Sequence, residues 1–167
     1  MADPSICRDE PIIAALQKHA VPFVLIGGHA VYRHGYLRST EDVDAVWRRS
    51  EAVESRLLSA LIEINAVWIS SEIDPTTGIE RTHPVSAAYI RAEHLMMLWT
   101  DYGPLDLFDY IPGWPQEPVE RLFGDSVETE GLRFASLLWL RRMKQAAGRS
   151  KDLLDLDELN KRYPETA

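Results

Sequence analysis

Two aspartates one residue apart, Asp42 and Asp44, sit among apolar residues, thirteen residues beyond a double glycine, Gly27-Gly28. In a strand, residues i and i+2 project from the same face, so the pair presents two carboxylates side by side. Carboxylates that close repel one another and hold their protons more tightly. A divalent cation removes the repulsion, and hard oxygen donors suit Mg²⁺, with Mn²⁺ as a substitute. An ion held by one or two carboxylates completes its shell with water and substrate phosphates. Glycines let backbone N–H groups approach a phosphate closely. One segment thus offers both halves of a site for a metal and a nucleoside triphosphate. The alternative, a pair of solvated acids on a half-exposed strand, fits poorly. Aspartate disfavours strands, and here two occur at alternate positions within Asp42-Val43-Asp44-Ala45-Val46-Trp47.

The elements that must position these groups can be read from periodicity and punctuation. Pro11 to His19 reads as a helix with Ile12, Ile13 and Leu16 on one face, and Pro11 suits its first turn. Val21 to Ile26 reads as a buried strand. Gly28 to His34 reads as a short helix stopped by Gly35, which would set a helix N-terminus at the double glycine. Val43 to Trp47 is the second strand. Ser50 can cap a helix running to Ile64, in which Val53, Leu57, Leu61 and Ile64 recur at helical spacing. Val67 to Ile69 is a candidate third strand, and Asp74 to Gly78 has turn composition. His94 to Trp99 and Leu105 to Phe108 read as strands around Asp101-Tyr102-Gly103-Pro104. Residues 111–118 carry three prolines and read as a loop. Phe134 to Ala147 reads as a helix ended by Gly148, and Ser150 can cap a last helix to Lys161. Helices and strands alternate early, then hairpin strands follow, then helices. That order predicts an α+β fold, a small mixed sheet flanked by helices.

The segment GGHAVYRHGYLRSTEDVDAV, with its Gly-Gly and its Asp-apolar-Asp-apolar, resembles the signature of the nucleotidyltransferase superfamily, whose fold is shared with DNA polymerase beta. Its His34-Gly35 and Arg38-Ser39-Thr40-Glu41-Asp42-Val43-Asp44 are similar to the AbiEii-type and minimal nucleotidyltransferases of toxin–antitoxin and abortive-infection systems. The resemblance implies a third carboxylate on a later strand between apolar residues. Asp106, between Leu105 and Leu107, has that setting, although Asp101 and Asp109 lie nearby. It also extends to Lys144-Gln145-Ala146-Ala147-Gly148-Arg149-Ser150-Lys151-Asp152. On this reading the chemistry is two-metal: Asp42 and Asp44 bind two Mg²⁺ ions, Asp106 ligates the catalytic one, and the three carry the catalysis, while Gly27, Gly28, Arg38, Thr40 and Lys144 bind the triphosphate. Arg38 could equally brace its loop through carbonyls or Glu41, and Lys144 could belong to a solvated basic face with Arg141 and Arg142. Arg149 and Lys151 read as surface charges, and Asp152 as a local cap or pair.

The reaction implied is transfer of a nucleoside monophosphate from a nucleoside triphosphate to an RNA (tRNA) or protein acceptor, in a toxin–antitoxin or phage-defence setting with a cognate toxin or antitoxin partner. The alternatives are a small-molecule, antibiotic-type adenylyltransferase and a non-catalytic nucleotide-sensing or partner-binding domain. The chain is short for a full AbiEii-type toxin, which points to a missing acceptor-binding domain.

Bulk properties bound these readings. The 167 residues suit a single domain over 9–167, with C-terminal helices and a loose tail over 1–8. No apolar run approaches the ~20 residues that span a bilayer, and the N-terminus lacks the features of a secretory signal. The lone cysteine, Cys7, excludes an internal disulfide or Cys-based zinc cluster, and a reducing cytoplasm is the default compartment. A net charge of −8 argues against broad affinity for nucleic acid but leaves room for a local basic patch. His29 and His34 are five apart, the wrong spacing for a same-face zinc pair. His29 could touch substrate or pack in its helix, and Trp114 could stack on a base or plug the core.

Overall fold

The computed structural model describes Cys7 and residues 10–164. The loose tail expected over 1–8 lies outside the described residues apart from Cys7, whose side chain is buried. Helix α1, Pro11–Lys18, is capped by the Glu10 carboxylate, which accepts from the Ile13 N–H at 2.9 Å. Strand β1, Phe23–Leu25, leads into helix α2, Gly27–Arg33, and then strand β2, Val43–Trp47. Ser50 caps helix α3, Glu51–Glu63, by accepting from Val53 N–H. Strands β3, Val67–Ile73, and β4, Glu80–Pro84, form a hairpin, followed by the short helix α4, Ala87–Ala92. Strands β5, Leu95–Thr100, and β6, Gly103–Phe108, form a second hairpin. Helix α5, Val119–Gly124, precedes a small hairpin of β7, Val127–Thr129, and β8, Leu132–Phe134. Helices α6, Leu137–Ala147, and α7, Ser150–Arg162, close the chain.

The eight strands form one sheet in the order β4-β3-β5-β6-β2-β1-β8-β7. The β2–β6 and β1–β8 pairings are parallel and the others antiparallel, so the sheet is mixed, as expected. Alternation in β1 and β2 divides the core. Phe23, Leu25, Val43, Ala45 and Trp47 face α1, α3 and α4, while Val24 and Val46 face α2, α5 and α6. The second face is covered only as far as β6. Beyond it, Met97 and Trp99 of β5 and Ile69 of β3 are 64%, 53% and 42% exposed.

Several expectations are corrected. The helix read from Phe134 begins at Leu137, because Phe134 ends β8 and pairs with Leu25 and Val127; Ser136 caps the helix through Trp139 N–H. The third strand extends to Ile73, drawn out by the β4 partner. Ser150 is the first residue of α7 and not its cap; the Asp152 carboxylate accepts from Arg149 N–H instead.

Candidate active site

Strand β2 lies between β1 and β6, and its parallel register with β6 sets Asp44 opposite Asp106. Neighbouring strands are about 4.8 Å apart, so residues on the two chains of a ladder share one patch of the sheet face. Asp42, two residues before Asp44, completes a trio lining one cleft of about 160 Å³. Gly27, Gly28, Arg38, Thr40 and Lys144 line the same cleft, with an apolar wall of Phe108, Leu140 and Met143. Asp101 and Asp109 are elsewhere: Asp101 accepts from the Asn65 amide, and Asp109 pairs with Arg49 and His94.

Local packing explains the glycines. Gly27 has φ +57°, and a Cβ there would stand 2.1 Å from Asp44 Oδ2. A Cβ on Gly28 would stand 2.4 Å from Thr40 Oγ1. Thr40 donates to the Asp42 carbonyl at 3.1 Å, and the Ile26 N–H donates to the Asp44 carbonyl at 2.9 Å. The turn, Thr40 and the aspartates are thus one packed unit. Gly28 is buried beneath Thr40, leaving Gly27 as the more open of the two.

The electrostatics are those of crowded acids. Burial and then the Asp42 charge push the Asp44 pKa up, opposed by Lys144, Arg149 and Lys151. Burial, followed by Asp44 and Asp42, pushes Asp106 up to about 6, with Arg149 opposing. Among the described residues no three His, Cys, Asp or Glu side chains already stand at metal-binding spacing. The trio therefore shares a cleft without forming a finished coordination shell. As a donor set it fits Mg²⁺: carboxylate oxygens with excess negative charge, beside room for water and phosphate.

The cations behind the cleft are tied together. Lys144 is not on a solvated face; its side chain is 6% exposed, and Nζ lies 3.0 Å from Asp152 and 2.7 Å from Asp155. Arg38 does not brace its loop through Glu41. It forms a bidentate pair with Asp155, at 2.7 and 2.9 Å, and also donates to the Ser39 carbonyl. Arg149 pairs with Asp152 at 2.7 Å. Arg149 and Lys151 are exposed, as the sequence reading expects, and both also line the cleft. Asp155 joins Arg38 to Lys144, a role that no motif in the sequence marks. Its signal was an acid in the buried 152-155-159 stripe of α7.

His29 is a packed helix histidine. It is buried, its Nδ1 has no partner among the described residues, and burial followed by the Arg38 charge lowers its pKa to about 4. Trp114 packs against the second core cluster, away from the cleft.

No family model matches the chain, and no curated protein matches it. Among solved structures it is similar to JHP933 from Helicobacter pylori, at 22% identity over 98% of this chain and 69% of that one, with a TM-score of 0.50. It is also similar to the antibiotic-resistance factor ANT(2'')-Ia, at 15% identity over 96% of this chain and 85% of that one, with a TM-score of 0.55. At these identities the likeness is one of fold: the chain has the nucleotidyltransferase fold. No described helix is long and apolar enough to cross a membrane.

Proposed function

We propose that the chain is a Mg²⁺-dependent nucleotidyltransferase that moves a nucleoside monophosphate from a nucleoside triphosphate to an acceptor hydroxyl. The observation that carries the reading is the gathering of Asp42, Asp44 and Asp106 in one cleft with the glycine turn, where two of them are held in register on adjacent parallel strands. The acceptor oxygen bonds to the α-phosphorus, the bond to the β-phosphate bridging oxygen breaks, and pyrophosphate leaves. Mg²⁺ held by the three carboxylates would acidify the acceptor hydroxyl and neutralise the triphosphate. The protein's own groups do the rest. Asp106, set opposite Asp44 on the neighbouring strand and lining the cleft, is the carboxylate placed to take the acceptor proton. Arg149 and Lys151, at the start of α7, would face the phosphates, and the wall of Phe108, Leu140 and Met143 would receive the base.

The sequence resemblance supports an AbiEii-type enzyme with an RNA or protein acceptor and a toxin–antitoxin or phage-defence role. Fold similarity to an antibiotic-resistance factor favours, as a second reading, a small-molecule acceptor. The test is incubation with each nucleoside triphosphate labelled on its α-phosphate, Mg²⁺ and cell lysate, with the label then traced to RNA, protein or small molecules. Asp44→Asn keeps the shape and removes one charge, so transfer should be lost; full transfer by that variant would remove the basis of the proposal.

A further inference from the structure

A larger groove, of about 740 Å³, lies at the other end of β1 and β2 and shares no lining residue with the carboxylate cleft. The Phe23–Trp47 pair and the Arg48 N–H bond to the Pro22 carbonyl mark that end, while Asp44 lies beside the Leu25 end. Four residues of extended chain separate Asp44 from Arg48, about 13 Å. Three guanidiniums enter the groove from three elements: Arg48 after β2, Arg56 from α3 and Arg133 from β8. One carboxylate, Glu120, accompanies them.

These arginines are weakly engaged. Arg48 lies 4.2 Å over the Phe123 ring, which holds its guanidinium plane, and its nearest carboxylate oxygen, on exposed Glu120, is 3.7 Å away. Arg133 reaches Glu128 at 3.1 Å, with both side chains about half exposed. Arg56 is exposed and has no ion pair among the described residues. In a chain of net charge −8, three like charges converging on one groove form a local positive field that focuses on anions. Besides Glu120, the lining carries no acid; Val21, Pro22 and Gly131 in it are uncharged. Arginine forks match phosphate oxygens. The groove volume exceeds that needed for a single phosphate, and the arginines come from separate elements rather than one point.

We propose that this groove binds a ligand carrying two or three phosphates along a chain, at a site separate from the carboxylate cleft and independent of the transfer reaction. The chemistry could be supplied by a single-stranded nucleic acid or by a free oligophosphate. The test uses the full chain in EDTA, which keeps Mg²⁺-dependent phosphate binding out of the other cleft. A labelled single-stranded oligouridylate is titrated by fluorescence anisotropy and inorganic tripolyphosphate by calorimetry. At least one should bind at low ionic strength. For the strand, log K should fall with log salt at a slope of about −2, from ~0.7 per phosphate neutralised by the three arginines. Arg56→Glu/Arg133→Glu should weaken binding by about tenfold or more and flatten that slope, while Arg56→Lys/Arg133→Lys should retain most of it. If the charge-reversed variant loses its far-UV circular dichroism, Arg56→Gln/Arg133→Gln takes its place. Binding of the strand alone assigns the site to nucleic acid, and binding of tripolyphosphate alone to a compact anion. Failure of both probes to bind, or equal binding by wild type and the charge-altered variant, overturns the proposal.

Discussion

Asp155→Asn removes one charge from the centre of a buried network with almost no change of shape. Asp155 is 1% exposed, accepts from Arg38 twice and forms an ion pair with Lys144 at 2.7 Å. Removing one partner from a buried pair typically costs about 3–5 kcal/mol, because the other charge is left uncompensated. Lys144 would keep Asp152 at 3.0 Å, and Arg38, 14% exposed, can reach water. Both facts place the expected loss near the low end, about 3 kcal/mol. For a chain of this size each kcal/mol lowers Tm by about 2–4 °C, so the fall should be about 6–12 °C. The loop carrying Thr40 and Asp42 follows Arg38 directly, so Mg²⁺-nucleotide affinity should weaken in the same variant. Urea unfolding followed by circular dichroism gives the first quantity, and calorimetry with Mg²⁺ and nucleotide the second. A stability loss below about 1 kcal/mol, the level of an exposed pair, would refute the view that this network holds the loop to α6 and α7.

Two other outcomes follow from the cleft. Asp106 has its pKa raised to about 6 in the fold, above its unfolded value, so between those two values the native state binds more protons than the unfolded one and metal-free stability falls as pH rises. Thermal melts in EDTA should therefore show Asp106→Asn losing less stability than wild type from pH 4 to pH 7; parallel curves would contradict the crowding of the acids. Gly27→Ala would place a Cβ 2.1 Å from Asp44 Oδ2 at φ +57°, so Mg²⁺-dependent nucleotide binding should drop at least about tenfold while stability falls by about 1–3 kcal/mol. Unchanged affinity by calorimetry would show that the turn does not position Asp44.

The aspartate pair and glycine turn were legible because local rules decide them: period-two alternation puts Asp42 and Asp44 on one face, and close backbone approach at Gly27 requires glycine. Asp106 was legible from its strand neighbours, although its register opposite Asp44 is a tertiary fact. Helix α7 was legible as a helix, but its buried face was not. Its Leu153 and Leu154 are 54% and 65% exposed, whereas Asp152 and Asp155 are buried. Hydrophobic periodicity assumes that leucines turn inward; here ion pairs to Lys144, Arg149 and Arg38 reverse that preference. The β7–β8 hairpin escaped notice because each strand has only three residues. Its link to the sheet, Leu25 to Phe134, is also far apart in sequence.

Uneven coverage of the sheet gives the proposed reaction a direction. Helices α2, α5, α6 and α7 lie over the second face as far as β6. The glycine turn, Lys144, Arg149 and Lys151 all belong to that covered side. On the proposed mechanism, phosphates bound there would place the leaving pyrophosphate toward the helices. In-line displacement requires the incoming oxygen to arrive from the opposite side. Across Asp106 in that direction stands Met97, its register partner on β5, with Trp99 two residues further along that strand, both exposed. The acceptor's path on the proposed mechanism thus runs over the bare half of the sheet. On that mechanism Asp106, at the border between the two halves, would be the carboxylate of the trio nearest the arriving hydroxyl.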